Sequence, residues 1–335
     1  MVSFTSANMP VNETIEALWA MNFWGPVTAT LDWCEANYQF SKYIAETANT
    51  WSNIVTVGLA LYGARQVQEA KLPLRYVAGY TGFALIGLGS MIFHATLLYS
   101  AQLADELPMI YVATYCSAIL FDTEPGWGAD NVRTLFLVSA YFLFNILFTW
   151  SYSVFRNPVY HQVFFAIVMF TNAFRTAYLL KFSEVGSRIP EAKKVSIARV
   201  FSSGAAIFFF GFFVWNLDNI FCSTITHWKH AIGWPAAFLL EGHSWWHVFT
   251  ATGTYLMIVG NTSPCVSRTI TPSMRLSIAL VFPNLYDPKP RAHSVLKSSC
   301  NDDTTIIIYA PLRSQVRINV DPLDQVVVLE ISSKF

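Results

Sequence analysis

Two pairs of side chains in this sequence have the spacing of metal-binding residues. His243 and His247 are four residues apart, so on a helix both imidazoles lie on one face and can bind a single ion. Ser90 and His94 form a second pair with the same spacing. No Cys-x-x-Cys pair occurs, which excludes the usual thiolate zinc site. Three histidines would leave a tetrahedral zinc ion with one open position for water, which is the catalytic pattern.

Membrane helices must position these residues, because the composition is too apolar for a soluble domain. Hydrophobic residues make up 54% of the 335 residues and charged residues 13%, against about 25% charged in soluble proteins. The 21 basic and 21 acidic residues cancel, so no nucleic-acid partner is indicated. Apolar stretches of roughly 20 residues can cross a bilayer. We predict an all-α membrane protein, a bundle of seven transmembrane helices near 47–66, 76–98, 107–122, 133–153, 160–181, 200–222 and 237–259.

These spans divide the chain into an N-terminal segment (1–46), a membrane domain (47–260) and a tail (261–335). No cleaved signal peptide is predicted, so the first span would act as the signal. The tail has Pro-rich spacing and then β-favouring runs at Thr305–Tyr309 and Val326–Ile331. We expect it to be largely mobile, with a short hairpin at its end. No oligomeric state is predicted.

The distribution of cations predicts the orientation in the membrane. With seven spans the termini face opposite sides, and loops on the N-terminal side carry few cations, namely Lys42, Arg156 and Lys229. The positive-inside rule therefore places the N-terminus in the lumen and the tail in the cytosol. A glycosylation sequon at Asn12 lies on the compatible side. The other loops carry the remaining cations near the spans: Arg65, Lys71, Arg75, Arg133, Lys181, Arg188, Lys193, Lys194 and Arg199.

Depth in the membrane brings the histidines to one level. The second span runs toward the lumen and has His94 in its last part, whereas the seventh begins at the lumen with His243 and His247. Asp105, at the start of the third span, lies at that level too. Ionisable residues in a membrane span are expensive and usually functional, so this group predicts a metal site. The alternative is that interfacial histidines bond to backbone or lipid headgroups and that Ser90 is a small helix-packing residue.

An acidic loop before the first span suggests a second ion. Asp32, Glu35 and Asn37, with Glu46 at the helix entrance, are hard oxygen ligands of the kind that calcium prefers. The alternative is an ordinary acidic interfacial loop that caps a helix, and the spacing alone favours it.

Polar residues also end the sixth span. Two roles are open for Asn216, Asp218 and Asn219. They either orient the metal ligands by contacting them without binding the metal, or they link helices to one another. Cys34 and Cys222 are the two cysteines on the predicted oxidising side, and they can form a disulfide if the loop before the first span reaches the sixth.

Longer segments carry a resemblance to a known family. WGPVTATLDWCEANY, ANTWSN, SMIFHATLLYSAQLADELPM, WNLDNIFC and EGHSWWH closely resemble the alkaline ceramidases, a family of seven-helix membrane amidases, over roughly residues 20–260. Seven-helix adiponectin and progestin receptors share the serine, aspartate and three-histidine arrangement. The segment LDWCEANY distinguishes this chain from them.

The resemblance implies a set of site residues. It implies a catalytic zinc ion with Ser90 and Asp105 beside the metal-bound water, and a structural or regulatory calcium ion. It also implies a disulfide from Cys34 to the end of the sixth helix. The zinc ligands would be His94, His243 and His247, and the calcium ligands Asp32, Trp33 through its backbone carbonyl, Glu35, Asn37 and Glu46.

The resulting functional hypothesis is hydrolysis of the ceramide amide bond to a sphingoid base and a fatty acid. The lipid would enter from the bilayer, and Asp105 would move the proton while Ser90 holds the water or the oxyanion. Residence in the endoplasmic reticulum or Golgi is expected, and an alkaline optimum is implied by the resemblance alone. The main alternative is a lipid-binding receptor of seven helices that contains zinc but has no hydrolytic turnover. A weaker one is an enzyme that acts on other lipid amides or esters.

Overall fold

The computed structural model describes residues 22–122, 131–187 and 189–269, and four strands in the tail. Within the described residues up to 269, the regular structure is helical. The helices are α1 (Thr47–Ser52), α2 (Ile54–Glu69), α3 (Leu74–Thr96), α4 (Tyr99–Phe121), α5 (Val132–Phe155), α6 (Pro158–Lys181), α7 (Glu184–Ser187), α8 (Glu191–Ile220), α9 (Cys222–Ile232), a 3₁₀ helix (Ala236–Leu240) and α10 (Gly242–Thr269).

Five of these helices are long and apolar enough to cross a membrane, namely α3, α4, α5, α6 and α8. The chain is therefore a polytopic membrane protein. The five helices coincide with the predicted second to sixth spans. The predicted first span is occupied by α1 and α2, which meet at Asn53, and the seventh by α10.

Several helix ends differ from the predicted ones. The third span was predicted from residue 107, but α4 begins at Tyr99, so Asp105 lies inside the helix. The polar residues of its first two turns lower the local hydropathy, yet Gln102 and Glu106 are buried against other parts of the protein. The last helix was predicted to end at residue 259 and continues to Thr269. The apolar pattern marks the lipid-facing part of a helix rather than its hydrogen-bonded length.

The N-terminal segment is bonded to the C-terminal end of α3. Leu97 ends that helix in the left-handed conformation, with a φ of 49°, and its carbonyl accepts the backbone N–H groups of Thr28 and Ala29. The N–H groups of Ala45 and Glu46 donate to the carbonyls at the end of α3, the latter to His94 at 2.9 Å. These bonds satisfy carbonyls that a helix end leaves without partners. They also place the residue before α1 beside the histidine of α3.

Glycines allow the close helix contacts around the site. A Cβ added to Gly89 of α3 would collide with the backbone of Ala104 and Asp105 in α4. Gly204 of α8 and Gly253 of α10 each face the other's carbonyl at a distance that also excludes a side chain. Small residues at such contacts are typical of membrane helix packing, because they let the backbones approach. Gly89 therefore determines how closely Ser90 and Asp105 meet.

The last part of the chain, Pro283–Phe335, forms a separate unit that begins later than the predicted tail at residue 261. Strands β1 (His293–Ser298) and β2 (Ile306–Pro311) pair antiparallel, with His293 opposite Pro311. Strands β3 (Ser314–Val320) and β4 (Val327–Ser333) form a second antiparallel pair. The predicted β runs correspond to β2 and β4, so the strands are confirmed there. Most of the Pro-rich stretch lies outside the described residues, although Pro264 is part of α10.

A substitution at Gly89 tests the contact between α3 and α4. Gly89→Ala should lower the free energy of unfolding in detergent by about 1–3 kcal/mol, because a methyl group there overpacks a backbone contact. Gly58→Ala is the matched control, since a Cβ on this helical glycine of α2 meets no atom within 4 Å. Thermal unfolding of both variants measures the difference. Equal melting temperatures would contradict the close approach.

Candidate metal centre

Three buried histidines from two helices meet at the C-terminal end of α3. His94 comes from the last turn of α3, and His243 and His247 from the first two turns of α10. One ligand atom from each lies within 4.8 Å of the others, and each side chain is at most 6% exposed. Among the described residues, these three histidines form a group that could hold a metal ion. The predicted convergence of the three imidazoles is thus confirmed.

Two of these imidazoles are each held by a hydrogen bond at Nδ1. His94 Nδ1 lies 2.5 Å from Glu46 Oε2, and His247 Nδ1 lies 2.7 Å from Ser52 Oγ. The Ser52 hydroxyl donates its proton to the carbonyl of Asn49, so His247 Nδ1–H is the donor to Ser52. In both rings Nε2 then keeps its lone pair for a metal. Metal-binding histidines usually have such partners, which set the tautomer and the ring orientation.

The third imidazole is held by stacking. The ring of His243 lies 4.0 Å from that of Trp33, measured between centroids, with an angle of 21° between the planes. Its Nδ1 is buried and has no hydrogen-bond partner among the described residues. A buried polar nitrogen without a partner is costly, and a bound cation would remove that cost. Three neutral imidazoles around one point are a donor set that zinc accepts, so the residues fit the ion.

Ser90 and Asp105 lie together beside the histidines. Ser90 is one turn before His94, and its hydroxyl lies close to the Asp105 carboxylate across the contact at Gly89. The Asn53 amide lies 3.0 Å from Ser90 Oγ and 3.2 Å from His247 Nδ1. A hydroxyl and a carboxylate next to an open metal position are the groups that acid–base chemistry on water requires.

The acidic loop contains oxygens that are available to a cation. The amide of Asn37 donates to Asp32 Oδ1 at 3.0 Å. Glu46 Oε1 and Asn49 Oδ1 are buried without a hydrogen-bond partner among the described residues. Charges on Asp32 and Glu35 both act on Glu46, so the carboxylates lie near one another. Several oxygens with unbalanced negative charge suit a hard divalent cation.

Glu35 also caps a helix. Its two oxygens accept the backbone N–H groups of Ala48 and Asn49 at 2.7 and 2.9 Å, which are free donors in the first turn of α1. Burial raises the pKa of Glu35 to about 7, against the opposing effect of these two hydrogen bonds. Helix capping was the alternative interpretation of this loop, and Glu35 does cap. Whether it also binds calcium is a proposal.

Of the three polar residues that end α8, one bonds to the helix of the ligands. Asp218 is buried, and its Oδ1 accepts the backbone N–H of Gly242 at 3.1 Å, the first residue of α10. Asn216 and Asn219 donate instead to carbonyls of their own helix, one turn earlier. Asp218 therefore holds the start of the helix that carries His243.

The predicted disulfide between Cys34 and Cys222 is present. It links the acidic loop to the first residue of α9, across 188 residues of sequence. Among the described cysteines, Cys116 takes no part in a disulfide.

Sequence reasoning missed Ser52 as the partner of His247 and Asn53 as the partner of Ser90. Their signal was their polarity inside an apolar span, within the segment ANTWSN. The contact of Glu46 with His94 was missed as well, since nothing in the spacing relates residues 48 positions apart.

Five apolar helices that can span a membrane, with three buried histidines where one of them meets α10, define a polytopic membrane protein with a group that could hold a metal ion. The sequence model of the family described as Ceramidase matches residues 25–278. This protein belongs to the alkaline ceramidase family, as the resemblance implied.

Curated relatives agree with this assignment. The chain is 34% identical over 240 residues to alkaline ceramidase 3 of Mus musculus, covering 71% of this chain and 84% of the mouse protein. It is 36% identical over 246 residues to alkaline ceramidase YPC1 of Saccharomyces cerevisiae, covering 70% and 76%. It is 30% identical over 234 residues to an alkaline ceramidase of Arabidopsis thaliana, covering 70% and 83%.

Removing one imidazole tests the metal-binding group. The purified protein should contain about one zinc ion per chain, and His243→Ala should contain almost none, because two imidazoles hold the ion too weakly. His227→Ala, at an exposed histidine of α9, is the control and should keep the ion. Elemental analysis measures the content. Equal zinc in both variants would rule out His243 as a ligand.

Proposed function

We propose that this protein hydrolyses the amide bond of ceramides to a sphingoid base and a free fatty acid, with a zinc ion held by His94, His243 and His247. The observation that carries the proposal is the convergence of these imidazoles beside Ser90 and Asp105. The relatives named as alkaline ceramidases supply the substrate class.

The residues around the metal divide the chemistry. Zinc supplies a Lewis acid that lowers the pKa of water from 15.7 toward about 7 and polarises a carbonyl. The Asp105 carboxylate accepts the proton of the attacking water and delivers it to the leaving amine, so that the sphingoid base departs neutral. The Ser90 hydroxyl donates to the oxygen that becomes negative as the water attacks the carbonyl. Losing one such donor typically costs about 3 kcal/mol.

The calcium ion would hold the N-terminal loop in place. Asp32, Glu35, Asn37, Glu46 and the carbonyl of Trp33 would bind it. Glu46 would act at both ions, because Oε2 lies against His94 Nδ1 while Oε1 has no partner among the described residues. Trp33 would also act at both, since its ring stacks on His243. Calcium would therefore support the zinc geometry through two contacts.

The membrane arrangement follows from the same reasoning. We infer seven spans, with α1–α2 and α10 as the first and the last, the N-terminus in the lumen and the tail in the cytosol. The active site then lies at the luminal side of an endoplasmic reticulum or Golgi membrane. The two lipid chains would enter laterally from the bilayer into the apolar bundle.

The substitution Asp105→Asn tests whether this protein is an enzyme or a lipid-binding protein. The amide keeps the size of the side chain but cannot accept a proton, so turnover of ceramide should fall by about 10²- to 10⁴-fold while zinc content is unchanged. Glu106→Gln is the control, since this neighbouring carboxylate is bonded to Tyr152 and Gln102 instead. Its loss of turnover should be much smaller.

The rival is a lipid-binding receptor of the same architecture, in which the zinc is structural. Detergent-purified, zinc-loaded protein that binds ceramide without releasing fatty acid would support the receptor and contradict the enzyme. Release of fatty acid from other lipid amides or esters in preference to ceramide would point to a different lipid hydrolase.

Two substitutions test the role of calcium. Asp32→Asn should raise the calcium concentration needed for half-maximal hydrolysis, and saturating calcium should restore the rate, because among the described residues Asp32 bonds to the Asn37 amide and not to a histidine. Glu46→Gly should lose hydrolysis at every calcium concentration, since it also removes the partner of His94. Calcium titrations of the rate measure both effects. Full activity of the unmutated protein in a strong calcium chelator would argue against the coupling.

A further inference from the structure

Lys229 is a buried cation that the proposed reaction does not use. It lies near the end of α9 and is 4% exposed. Its Nζ is 2.6 Å from Glu241 Oε2 and donates to the carbonyl of Cys34 at 3.2 Å. Glu241 is 1% exposed, so both charges of this pair are withdrawn from water. A buried charge requires partners, and these two partners belong to different parts of the site.

The first partner of Lys229 is the backbone carbonyl of Cys34, in the middle of the acidic loop. Cys34 stands between Trp33, whose ring stacks on His243, and Glu35, which caps α1. Its side chain is bonded to Cys222, seven residues before Lys229 and on the same face of α9. The disulfide therefore limits the distance of the loop from α9, and the ammonium group orients the backbone of the loop.

The second partner of Lys229 is Glu241, the residue immediately before α10, which carries His243 and His247. The carbonyl of Glu241 accepts the backbone N–H groups of Ser244 at 3.1 Å and Trp245 at 3.4 Å, so Glu241 occupies the capping position of α10. His243 follows two residues later. A side chain that holds Glu241 therefore holds the start of the helix with two of the three imidazoles.

We propose that Lys229 is a positioning residue that fixes the loop 32–37 against the start of α10, and that zinc retention at His243 and His247 depends on it. Replacing a buried ion pair by apolar residues is often neutral or favourable for stability. Stability of the fold therefore does not require the Lys229–Glu241 pair. A role in positioning the acidic loop against α10 explains the pair better. The inference rests on the proposed zinc site.

The test compares three purified full-length variants with the unmutated protein. Lys229→Met removes both bonds. Lys229→Met combined with Glu241→Gln removes the bonds and also the charge that the single variant leaves buried, so it folds even if the single variant does not. Lys181→Met, at an exposed lysine that ends α6, is the control.

Zinc release to a chelator and the visible spectrum after cobalt substitution are the measurements, and neither needs turnover. Both Lys229 variants should release zinc about 10- to 100-fold faster and show an altered cobalt spectrum, as removal of a residue that supports metal ligands does. Lys181→Met should match the unmutated protein. Normal release and a normal spectrum in the double variant would overturn the inference, because charge balance would then be the only role of Lys229. Absence of zinc from the unmutated protein would overturn the proposed function along with it.

Discussion

The hydrogen bond between Glu46 and His94 joins the N-terminal loop to the histidine of α3. Glu46 is held there by its own backbone, which donates to the carbonyl of His94. One residue thus contacts the same histidine through its main chain and its side chain. A change in the loop must therefore move an imidazole, and the disulfide and the cap that Glu35 forms on α1 keep that loop in place.

The polar network around the histidines is costly in a membrane protein unless its members bond to one another. The described contacts meet that requirement for most of the polar groups: Ser52 bonds to His247, Asn53 bonds to Ser90, and Asp218 bonds to the start of α10. Several of the exceptions lie where ions are proposed. His243 Nδ1, Glu46 Oε1 and Asn49 Oδ1 have no hydrogen-bond partner among the described residues. Elsewhere in the bundle, by contrast, the buried carboxylate of Glu106 is bonded to Tyr152 and Gln102.

The helices bring the site together at points where glycine allows contact. Ser90 and Asp105 meet across Gly89, and α10 lies against α8 at Gly204 and Gly253. In a bilayer such contacts replace the hydrophobic driving force of a soluble core, because lipid chains are as apolar as the side chains. Close packing of small residues therefore determines the distance between the groups that the proposed reaction uses.

The sequence by itself determined the class of fold and the kinds of ligand. The length of the apolar stretches requires membrane helices, and the four-residue spacing of His243 and His247 requires that they share a helix face. The predicted orientation in the membrane also left Cys34 and Cys222 on one side, and the structure joins this pair in a disulfide.

The tertiary structure decided which polar residues meet. The contacts of Glu46 with His94 and of Ser52 with His247 join residues 48 and 195 positions apart, and no periodicity links them. For the same reason the sequence did not separate Asp218, which bonds to α10, from Asn216, which bonds within its own helix. Spacing along the sequence shows which side chains share a face of one helix. The partners of those side chains on other helices depend on how all the helices pack.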